Sequence, residues 1–308
     1  MSATPSQARL VEAVLTFLAG QDVLAPDDIR AALESEIHAA GPEALVELQA
    51  RLHEEVGWVY SPPDVLARRI HYRLADRFVR PESSVEGLDH LIPLGESPGV
   101  PVVLIANHLS YSDANVVQIL LHLADATAWA GRLTALAGPK VYTSRQRRFS
   151  SLCFGTIRVP QSTDVSSGEA VLPAREVARA ALGAMTIARE RLAAGDVLLL
   201  FAEGTRSRTA SMQPLLPAVA RYLEGDLDPW VVPVGLTGSE ELFPVGVNSV
   251  QPARLVMRIG EPARASALGA AAGGDRKALM DAVGARIAAL LPTAYRGVYG
   301  GDGAGPGA

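Results

Sequence analysis

The segment from Pro101 to Val117, with the sequence PVVLIANHLSYSDANVV, constrains the fold of this 308-residue chain more than any other. A continuous apolar run bounded by polar residues is typical of a buried strand. The apolar positions of Ala114–Leu123 predict an amphipathic helix directly after it. His108 therefore lies where a predicted strand ends and a loop begins, and ligands bind at this edge in open α/β sheets.

His108 and Asp113 can meet only if the chain bends between them, because successive residues of a helix turn by about 100°. The residues between them, Ser110 to Ser112, permit such a bend, and Ser112 or Asp113 can cap the next helix. We hypothesise that the carboxylate of Asp113 accepts the Nδ1 proton of His108 and leaves Nε2 free as a general base. The alternative is an N-cap aspartate beside a loop histidine without a catalytic role.

Composition argues against several classes of function. The formal net charge is −5 and aromatic residues make up 5% of the chain, which argues against a nucleic-acid-binding protein. Cys153 is the only cysteine, so an intrachain disulfide is impossible, as is usual in a reducing cytoplasm. The N-terminal residues lack the pattern of a signal peptide, and no stretch has the roughly 18 apolar residues that a spanning helix requires. We therefore expect a cytoplasmic protein, and peripheral contact with the inner face of the membrane remains open.

The chain divides into three predicted parts. Residues 1–80 contain four short amphipathic patterns, which predict a small N-terminal helical bundle; a cap over the site or a membrane-surface contact is the alternative. Residues 81–296 alternate strand and helix patterns, which predict an α/β domain with a mixed, largely parallel central sheet layered by helices. Residues 297–308 are rich in glycine and predict a flexible tail. The four N-terminal helices are predicted to begin near Gln7, Pro26, Gly41 and Ser61.

Two predictions in the second half of the chain involve prolines. Met212–Leu223 predicts a helix that Pro214 and Pro217 interrupt near its start. Trp230–Leu236 is an apolar run typical of a strand, and Pro233 within it favours an edge position or a bulge, because proline cannot donate to the hydrogen-bond ladder.

The clearest strand pattern, Asp196–Phe201, leads into a second group of candidate site residues. Gly204 allows a tight turn and a close approach of the backbone to a ligand. Arg206 and Arg208 can converge on a phosphate, which a planar guanidinium binds through two hydrogen bonds. The alternative is a solvated charged loop, but the preceding strand favours a binding site.

Four short segments carry a resemblance to a known family. They are Asn107–Asp113 (NHLSYSD), in which a histidine is followed by four residues and an aspartate, and then Gly155–Val159 (GTIRV), Phe201–Ser207 (FAEGTRS) and Val231–Val234 (VVPV). In this order and at this spacing, the segments resemble the four blocks of the glycerolipid acyltransferases, the glycerol-3-phosphate and 1-acylglycerol-3-phosphate acyltransferase superfamily. The resemblance covers about residues 85–260 and leaves the N-terminal segment outside.

The resemblance implies a role for individual residues. His108 is the implied base and Asp113 its orienting partner. The implied binding group for a phosphorylated acceptor comprises Glu203, Gly204, Thr205 and Arg206, with further positive charge from Arg208, Lys140 and Arg158. The chain departs from the family at Gln161, where the second block usually has an arginine. Either Arg158 substitutes for that arginine or the contacts to the acceptor differ.

The implied reaction is transfer of a fatty acyl group from a thioester donor, acyl-CoA or acyl carrier protein, to the hydroxyl of a glycerol-phosphate or lysophospholipid acceptor. The third block favours 1-acylglycerol-3-phosphate as the acceptor, whereas the helical N-terminal segment resembles the soluble plastid-type glycerol-3-phosphate acyltransferases. No metal or bound cofactor is implied, because no group of His, Cys and Asp residues has ligand spacing. Two alternatives remain open: the same mechanism with another acceptor, and a non-enzymatic lipid- or carrier-binding protein on the same fold.

Overall fold

The computed structural model of the chain describes residues 8, 26–54, 57, 59–95, 99–142, 145–160, 174–244 and 250–301. The helix predicted from Gln7, the position of Gln161 and most of the predicted glycine-rich tail lie outside these residues. Within the described part of the chain, no helix combines the length and the apolar character needed to cross a bilayer.

Three helices precede most of the sheet and begin where the sequence predicts. These are α1 (Pro26–Ala40), α2 (Pro42–His53) and α3 (Val65–Phe78). Proline is the first residue of α1 and of α2. Its missing N–H breaks no hydrogen bond there, because the first N–H groups of a helix have no acceptor within the helix. Asp64 caps α3, since its carboxylate accepts the N–H of Ala67 at 2.9 Å. Between α2 and α3, Tyr60–Ser61 forms a short edge strand, β1, where the sequence predicts only the connection and the start of the next helix.

A nine-stranded sheet forms the centre of the molecule. After β1 its strands are β2 (Ser84–Glu86), β3 (Val102–Ala106), β4 (Leu133–Ala137), β5 (Gly155–Arg158), β6 (Val197–Phe201), β7 (Trp230–Thr237), β8 (Val256–Ile259) and β9 (Ala263–Arg264). Their order is β1-β5-β4-β6-β3-β7-β8-β2, and β9 pairs with β7. The five consecutive strands from β5 to β7 in this order are parallel. β1 pairs antiparallel with β5, β8 and β9 pair antiparallel with β7, and β2 pairs parallel with β8. The predicted mixed, largely parallel sheet is confirmed.

Helices cover both faces of this sheet. Because side chains alternate along a strand, Val102, Leu104 and Ala106 of β3 pack with α1–α3, whereas Val103 and Ile105 pack on the opposite face. The remaining helices are α4 (Ile92–Gly95), α5 (Asp113–Leu123), α6 (Thr127–Gly131), α7 (Pro139–Tyr142), α8 (Arg145–Leu152), α9 (Ala174–Ala193), α10 (Ser239–Leu242), α11 (Ala265–Ala271) and α12 (Arg276–Ala289). The buried side chains of α1 to α3 belong to one apolar core with the sheet. The predicted division at residue 80 stays a prediction.

Of the two positions predicted for Pro233, the edge position is wrong and the bulge is supported, because three residues between β8 and β9 lie opposite Val232 and Pro233. Pro233 lies in β7, between β3 on one side and β8 and β9 on the other. β8 ends at Ile259 and β9 begins at Ala263, and the N–H of Gly260 between them donates to the Pro233 carbonyl at 2.9 Å. The nitrogen of Pro233, which carries no hydrogen, thus faces the gap between β8 and β9. No backbone hydrogen bond between paired strands is lost there.

The helix predicted over Met212–Leu223 is also wrong for its first half, because only Pro217–Tyr222 is helical, as a 3₁₀ turn. Two prolines remove N–H donors from this stretch. The backbone of Met212 instead pairs with the C-terminal segment: its N–H donates to Tyr295 at 2.9 Å, and its carbonyl accepts from Val298 at 3.2 Å. Val298 lies in a 3₁₀ turn, Gly297–Tyr299, at the start of the predicted tail.

Candidate active site

The side chains of His108 and Asp113 meet in the loop between β3 and α5. The Nδ1 atom of His108 lies 2.7 Å from Oδ2 of Asp113. The imidazole is 19% exposed and the carboxylate is fully buried, so the ring can reach a ligand while its partner is shielded from solvent. This is the contact that the proposed dyad requires.

Asp113 is held by a dense set of hydrogen bonds. Its Oδ2 accepts the backbone N–H of Leu109 at 2.6 Å, and both oxygens accept that of Ser110, at 3.0 and 3.1 Å. Oδ1 also accepts the hydroxyl of Ser110 at 3.0 Å and the hydroxyl of Ser239. Because a carboxylate surrounded by donors acts as an acceptor toward His108 as well, the tautomer of a neutral His108 ring that fits this contact has its proton on Nδ1 and its lone pair on Nε2.

Asn107 fixes the end of β3 to β7. Its side-chain Nδ2 donates to the carbonyl of Leu236 at 3.0 Å, and its Oδ1 accepts the N–H of Leu236 at 2.7 Å. The amide therefore pairs with Leu236 as a peptide group would, and it continues the pairing of β3 and β7 to the residue before His108. Neither this role of Asn107 nor the contact of Ser239 with Asp113, 126 residues away, was predicted from the sequence.

Glu203 joins the end of β6 to the end of β3. One carboxylate oxygen accepts the backbone N–H of His108 at 2.8 Å, and the other accepts that of Gln213 at 2.8 Å. Burial raises the pKa of the Glu203 carboxyl, and the two N–H groups act in the opposite direction. Contact with an acceptor, as the resemblance implies, stays a prediction. The observed contacts make Glu203 a residue that positions His108.

Two further contacts restrict the position of His108. The N–H of Ser207 donates to the carbonyl of His108 at 2.8 Å. The ring of Phe201 stacks on the imidazole, with the ring centres 4.6 Å apart and the planes inclined by 22°. The backbone and one face of the ring are therefore both fixed by the segment around the end of β6.

Arg206 lies beside the dyad loop. Its guanidinium carbon is 3.4 Å from the centre of the Tyr111 ring, and the guanidinium carbon of Arg147 is 4.0 Å from the same point. Burial lowers the pKa of Arg206, and the neighbouring charge of Arg147 lowers it further, although an arginine remains protonated in proteins. Gly204, Thr205 and Arg208 are exposed on the same loop. A side chain on Gly204, whose φ is +69°, would collide with Leu216.

The other two predicted phosphate-binding residues lie farther along the same edge of the sheet. Lys140 is exposed in α7, which follows β4, and Arg158 ends β5 with its guanidinium carbon 5.5 Å from the ring centre of Tyr142. β4 and β5 are two and three strands from β3. Since neighbouring strands are about 4.8 Å apart, the end of β5 is about 14 Å from the end of β3.

An apolar cleft of about 640 Å³, partly open to solvent, adjoins the dyad loop. It is lined by His71, Leu74, Phe78, Val79, Ser112, Asn115, Val116, Ile119, Phe149, Ser150, Leu242, Val250 and Leu255. A second pocket of about 340 Å³, which includes Tyr111 and Arg147, shares Ser112, Asn115 and Ser150 with it. Burial lowers the pKa of His71 in the cleft wall to about 4, so its imidazole is neutral near pH 7.

Comparison with known protein families shows what kind of chain carries this site. The sequence model of the family described as Acyltransferase matches residues 82–237. The chain belongs to this family. The match spans β2 to β7 and includes every site residue that the sequence predicts. The predicted family and the predicted class of enzyme are confirmed.

The acyltransferase also resembles a solved structure, that of the 1-acyl-sn-glycerophosphate (LPA) acyltransferase PlsC from Thermotoga maritima. The sequences are 15% identical, the match covers 90% of this chain and 95% of that chain, and the TM-score is 0.47. A comparison of the acyltransferase with curated proteins gives no match.

Proposed function

We propose that this acyltransferase moves a fatty acyl group from a thioester donor, acyl-CoA or acyl carrier protein, to the free hydroxyl of 1-acylglycerol-3-phosphate. The observation that carries the proposal is the 2.7 Å contact between His108 Nδ1 and Asp113 at the carboxyl end of the central strands. A ring nitrogen with a free lone pair at this edge is suited to removing a proton from an alcohol.

In the proposed step, Nε2 of His108 takes the proton of the acceptor hydroxyl while the oxygen attacks the thioester carbonyl carbon. Asp113 stabilises the imidazolium that forms. When the tetrahedral intermediate collapses, the carbon–sulfur bond breaks, and the imidazolium returns the proton to the leaving thiolate. General base catalysis of this kind contributes about 10²–10⁴-fold to the rate. The step needs neither a metal nor a bound cofactor, and the donor enters as a substrate.

The surroundings of the dyad support both substrates. The apolar cleft beside Ser112 has the apolar lining expected for a small-molecule site, and we assign it to the fatty acyl chain of the donor. Arg206 supplies positive charge for the acceptor phosphate beside His108. Glycerol-3-phosphate would use the same two features, and a panel of phosphorylated acceptors with one acyl chain or with none distinguishes the two substrates.

Replacing His108 with alanine tests the role of the imidazole. We expect His108→Ala to lower kcat by at least about 100-fold, because the base is lost, while the acceptor still binds. The measurement is acyl transfer to 1-acylglycerol-3-phosphate, with acceptor binding measured separately by calorimetry. His38→Ala is the matched control, since His38 is exposed in α1 and should keep wild-type turnover.

Equal turnover in the His108→Ala variant and the wild type would remove the base role. Because the His108 ring packs on Phe201, the melting temperature of the variant is measured alongside, so that lost activity is not confused with lost fold. Wild-type protein that transfers acyl groups only to acceptors without phosphate would contradict the proposed acceptor.

A further inference from the structure

Two serine hydroxyls and one carboxylate oxygen form a closed group behind the dyad. Oγ of Ser110 lies 3.0 Å from Oδ1 of Asp113 and 2.7 Å from Oγ of Ser239, and Ser239 contacts the same Oδ1. Asp113 uses its other oxygen, Oδ2, for His108. Ser110, Asp113 and Ser239 are fully buried, so bulk water does not replace a contact that is lost among them.

Two hydroxyl protons have to serve the three contacts in this group. If Ser239 donates to Asp113, the proton of Ser110 can point to either of these two residues. The remaining arrangement, in which Ser239 donates to Ser110 and Ser110 to Asp113, would leave the closest of the three contacts without a proton between its two oxygens. Ser239 therefore donates to Asp113 in both allowed arrangements, whereas Ser110 does so in only one of them.

The turn before α10 fixes the position of the Ser239 hydroxyl. Gly238, whose φ is +88°, lies so close to the backbone of Arg254 that a side chain would collide with the Arg254 carbonyl. Glu240, on the other side of Ser239, accepts the hydroxyl of Tyr295. Both neighbours of Ser239 are thus held by other parts of the fold, and its hydroxyl is preorganised toward Asp113.

The hydrogen bond from Ser239 reduces the negative charge that Asp113 presents to His108. A donor on a carboxylate stabilises the ionised form, and a hydrogen bond to a charged group contributes about 1.5–3 kcal/mol. Without this donor, Asp113 would hold the Nδ1 proton more strongly and would stabilise the imidazolium relative to the neutral ring. Because only the neutral ring can act as a base, the donor extends the range of the base toward lower pH.

We propose that Ser239 is a positioning residue for the general base, on which it acts through Asp113. The inference rests on the proposed function, in which His108 is that base. Ser239 takes no part in the acyl transfer itself. Its hydroxyl orients the carboxylate that orients the imidazole, and it sets how readily the His108 ring takes up a proton.

Other charged and titratable groups lie around the dyad loop, on the elements packed against it. They are Glu203 after β6, Arg206 on the loop that follows, Arg147 in α8, Tyr111 within the dyad loop, His71 in α3 and Glu240 in α10. Removal of the Ser239 hydroxyl changes none of these side chains, so their contributions cancel when a variant is compared with the wild type. A difference between the two proteins therefore reports the hydrogen bond to Asp113.

The test is the dependence of kcat on pH in Ser239→Ala. We expect the acid limb of the profile, where the base becomes protonated, to move upward by about 0.5–1 pH unit, because only part of the hydrogen-bond energy reaches His108. Above the acid limb, kcat should stay within about threefold of the wild type and both KM values within about twofold, because no contact with a substrate is removed.

Two further variants grade the effect. Ser239→Cys keeps a weak donor at the same place, so its acid limb should lie between those of Ser239→Ala and the wild type. Ser110→Ala should shift the acid limb less than Ser239→Ala, because the Ser110 hydroxyl donates to Asp113 in only one of the two allowed arrangements. A larger shift in Ser110→Ala than in Ser239→Ala would contradict the assignment of the donor.

Ser266→Ala is the matched control. The hydroxyl of Ser266 also donates to an aspartate, Asp228, at 3.0 Å. Asp228 lies two residues before Trp230, which pairs with Val102 at the opposite end of β3 from His108. We expect the pH profile of this variant to match that of the wild type, so a general effect of removing a serine hydroxyl from an aspartate would be recognised.

NMR of protein labelled with ¹⁵N at histidine separates this inference from the proposed function. The ring signals of His108, assigned by their absence from His108→Ala, report protonation of the ring without any turnover. We expect them to change to the protonated form at a higher pH in Ser239→Ala than in the wild type. This result would support the role of Ser239 even if the wild type transfers no acyl group to 1-acylglycerol-3-phosphate.

A His108 transition at the same pH in Ser239→Ala and the wild type, or at a lower pH in the variant, would overturn the inference. A kcat that falls equally at every pH, with an unshifted acid limb, would also overturn it, because Ser239 would then only support the fold. Melting temperatures measured at the same pH values show whether the variant is folded throughout the titration.

Discussion

Asp113 is the residue on which most of the site's hydrogen bonds converge, and its donors come from its own loop and from the far side of β7. Leu109 and Ser110 donate from the bend that was predicted to bring His108 and Asp113 together, but their contacts with the carboxylate were not predicted. Ser239 donates from the start of α10, which follows β7, the strand beside β3 in the sheet. Its part in the site depends on which strands lie side by side, which a single residue pattern does not encode.

His71 allows the effect of burial on the pKa of a single residue, and through it on stability, to be tested. Its pKa is about 4 in the folded protein and near 6.5 in an unfolded chain, so the unfolded state binds more protons between these values. The lowered pKa of His71 therefore contributes about 3 kcal/mol to the free energy of unfolding. This contribution is fully present above pH 6.5 and is lost as the pH falls toward 4. The neutral ring donates from Nε2 to Asn115 at 3.3 Å, which a glutamine amide can imitate.

We therefore expect His71→Gln to lose about 2 kcal/mol less unfolding free energy than the wild type between pH 7.5 and pH 4.5. Urea unfolding at the two pH values measures the difference. Other titrating groups are common to both proteins and cancel in the comparison. Parallel losses in the two proteins would show that His71 is readily protonated in the folded state.

At the scale of elements, the sequence was sufficient to predict the central strands, but not which strands lie beside them. The apolar runs of β3, β6 and β7 were evident because strands buried on both faces are continuously hydrophobic. Pro233 was predicted at an edge or a bulge, and the choice between them required the structure, which places its missing donor opposite the gap between β8 and β9. Pairing partners, rather than strand propensity, decide such positions.

The junction of β3 and β7 depends on Asn107, and this dependence is testable. Asn107→Asp would set a carboxylate oxygen against the buried carbonyl of Leu236, which now accepts from Nδ2. We expect it to lower the unfolding free energy by about 3–5 kcal/mol, more than Asn107→Ala, which only removes the partners of Leu236. Urea unfolding of both variants measures this, and a smaller cost for aspartate than for alanine would argue against the observed pairing.

At the scale of the whole molecule, the C-terminal segment connects both supports of the dyad. The hydroxyl of Tyr299 accepts the N–H of Leu215, two residues after Gln213, which binds Glu203. The hydroxyl of Tyr295 donates to Glu240, the neighbour of Ser239. Residues near the end of the chain thus hold the loops that hold His108 and Asp113, although the sequence there predicted only a helix and a flexible tail.

Gly284 in α12 tests this connection at a distance from the chemistry. A Cβ at this position would lie 2.3 Å from the ring of Tyr299, so Gly284→Ala must displace the ring. We expect a loss of about 1–3 kcal/mol in unfolding free energy and a several-fold lower kcat. The matched control is Gly183→Ala in α9, where nothing lies within 4 Å, and which should be stabilised by about 0.5–1 kcal/mol with kcat unchanged. If Gly284→Ala is destabilised but its kcat is unchanged, the C-terminal segment does not affect the reaction through the supports of His108 and Asp113.

The immobilised imidazole of His108 has a consequence for regiochemistry. Phe201 closes one face of the ring and Asp113 occupies Nδ1, so a proton can be collected only at Nε2 and from a narrow range of directions. In the proposed reaction, an acceptor with several alcohol groups would be anchored first and then react at whichever oxygen falls within that range. The choice among chemically similar alcohols would follow from the span between anchor and base, and not from differences in their acidity.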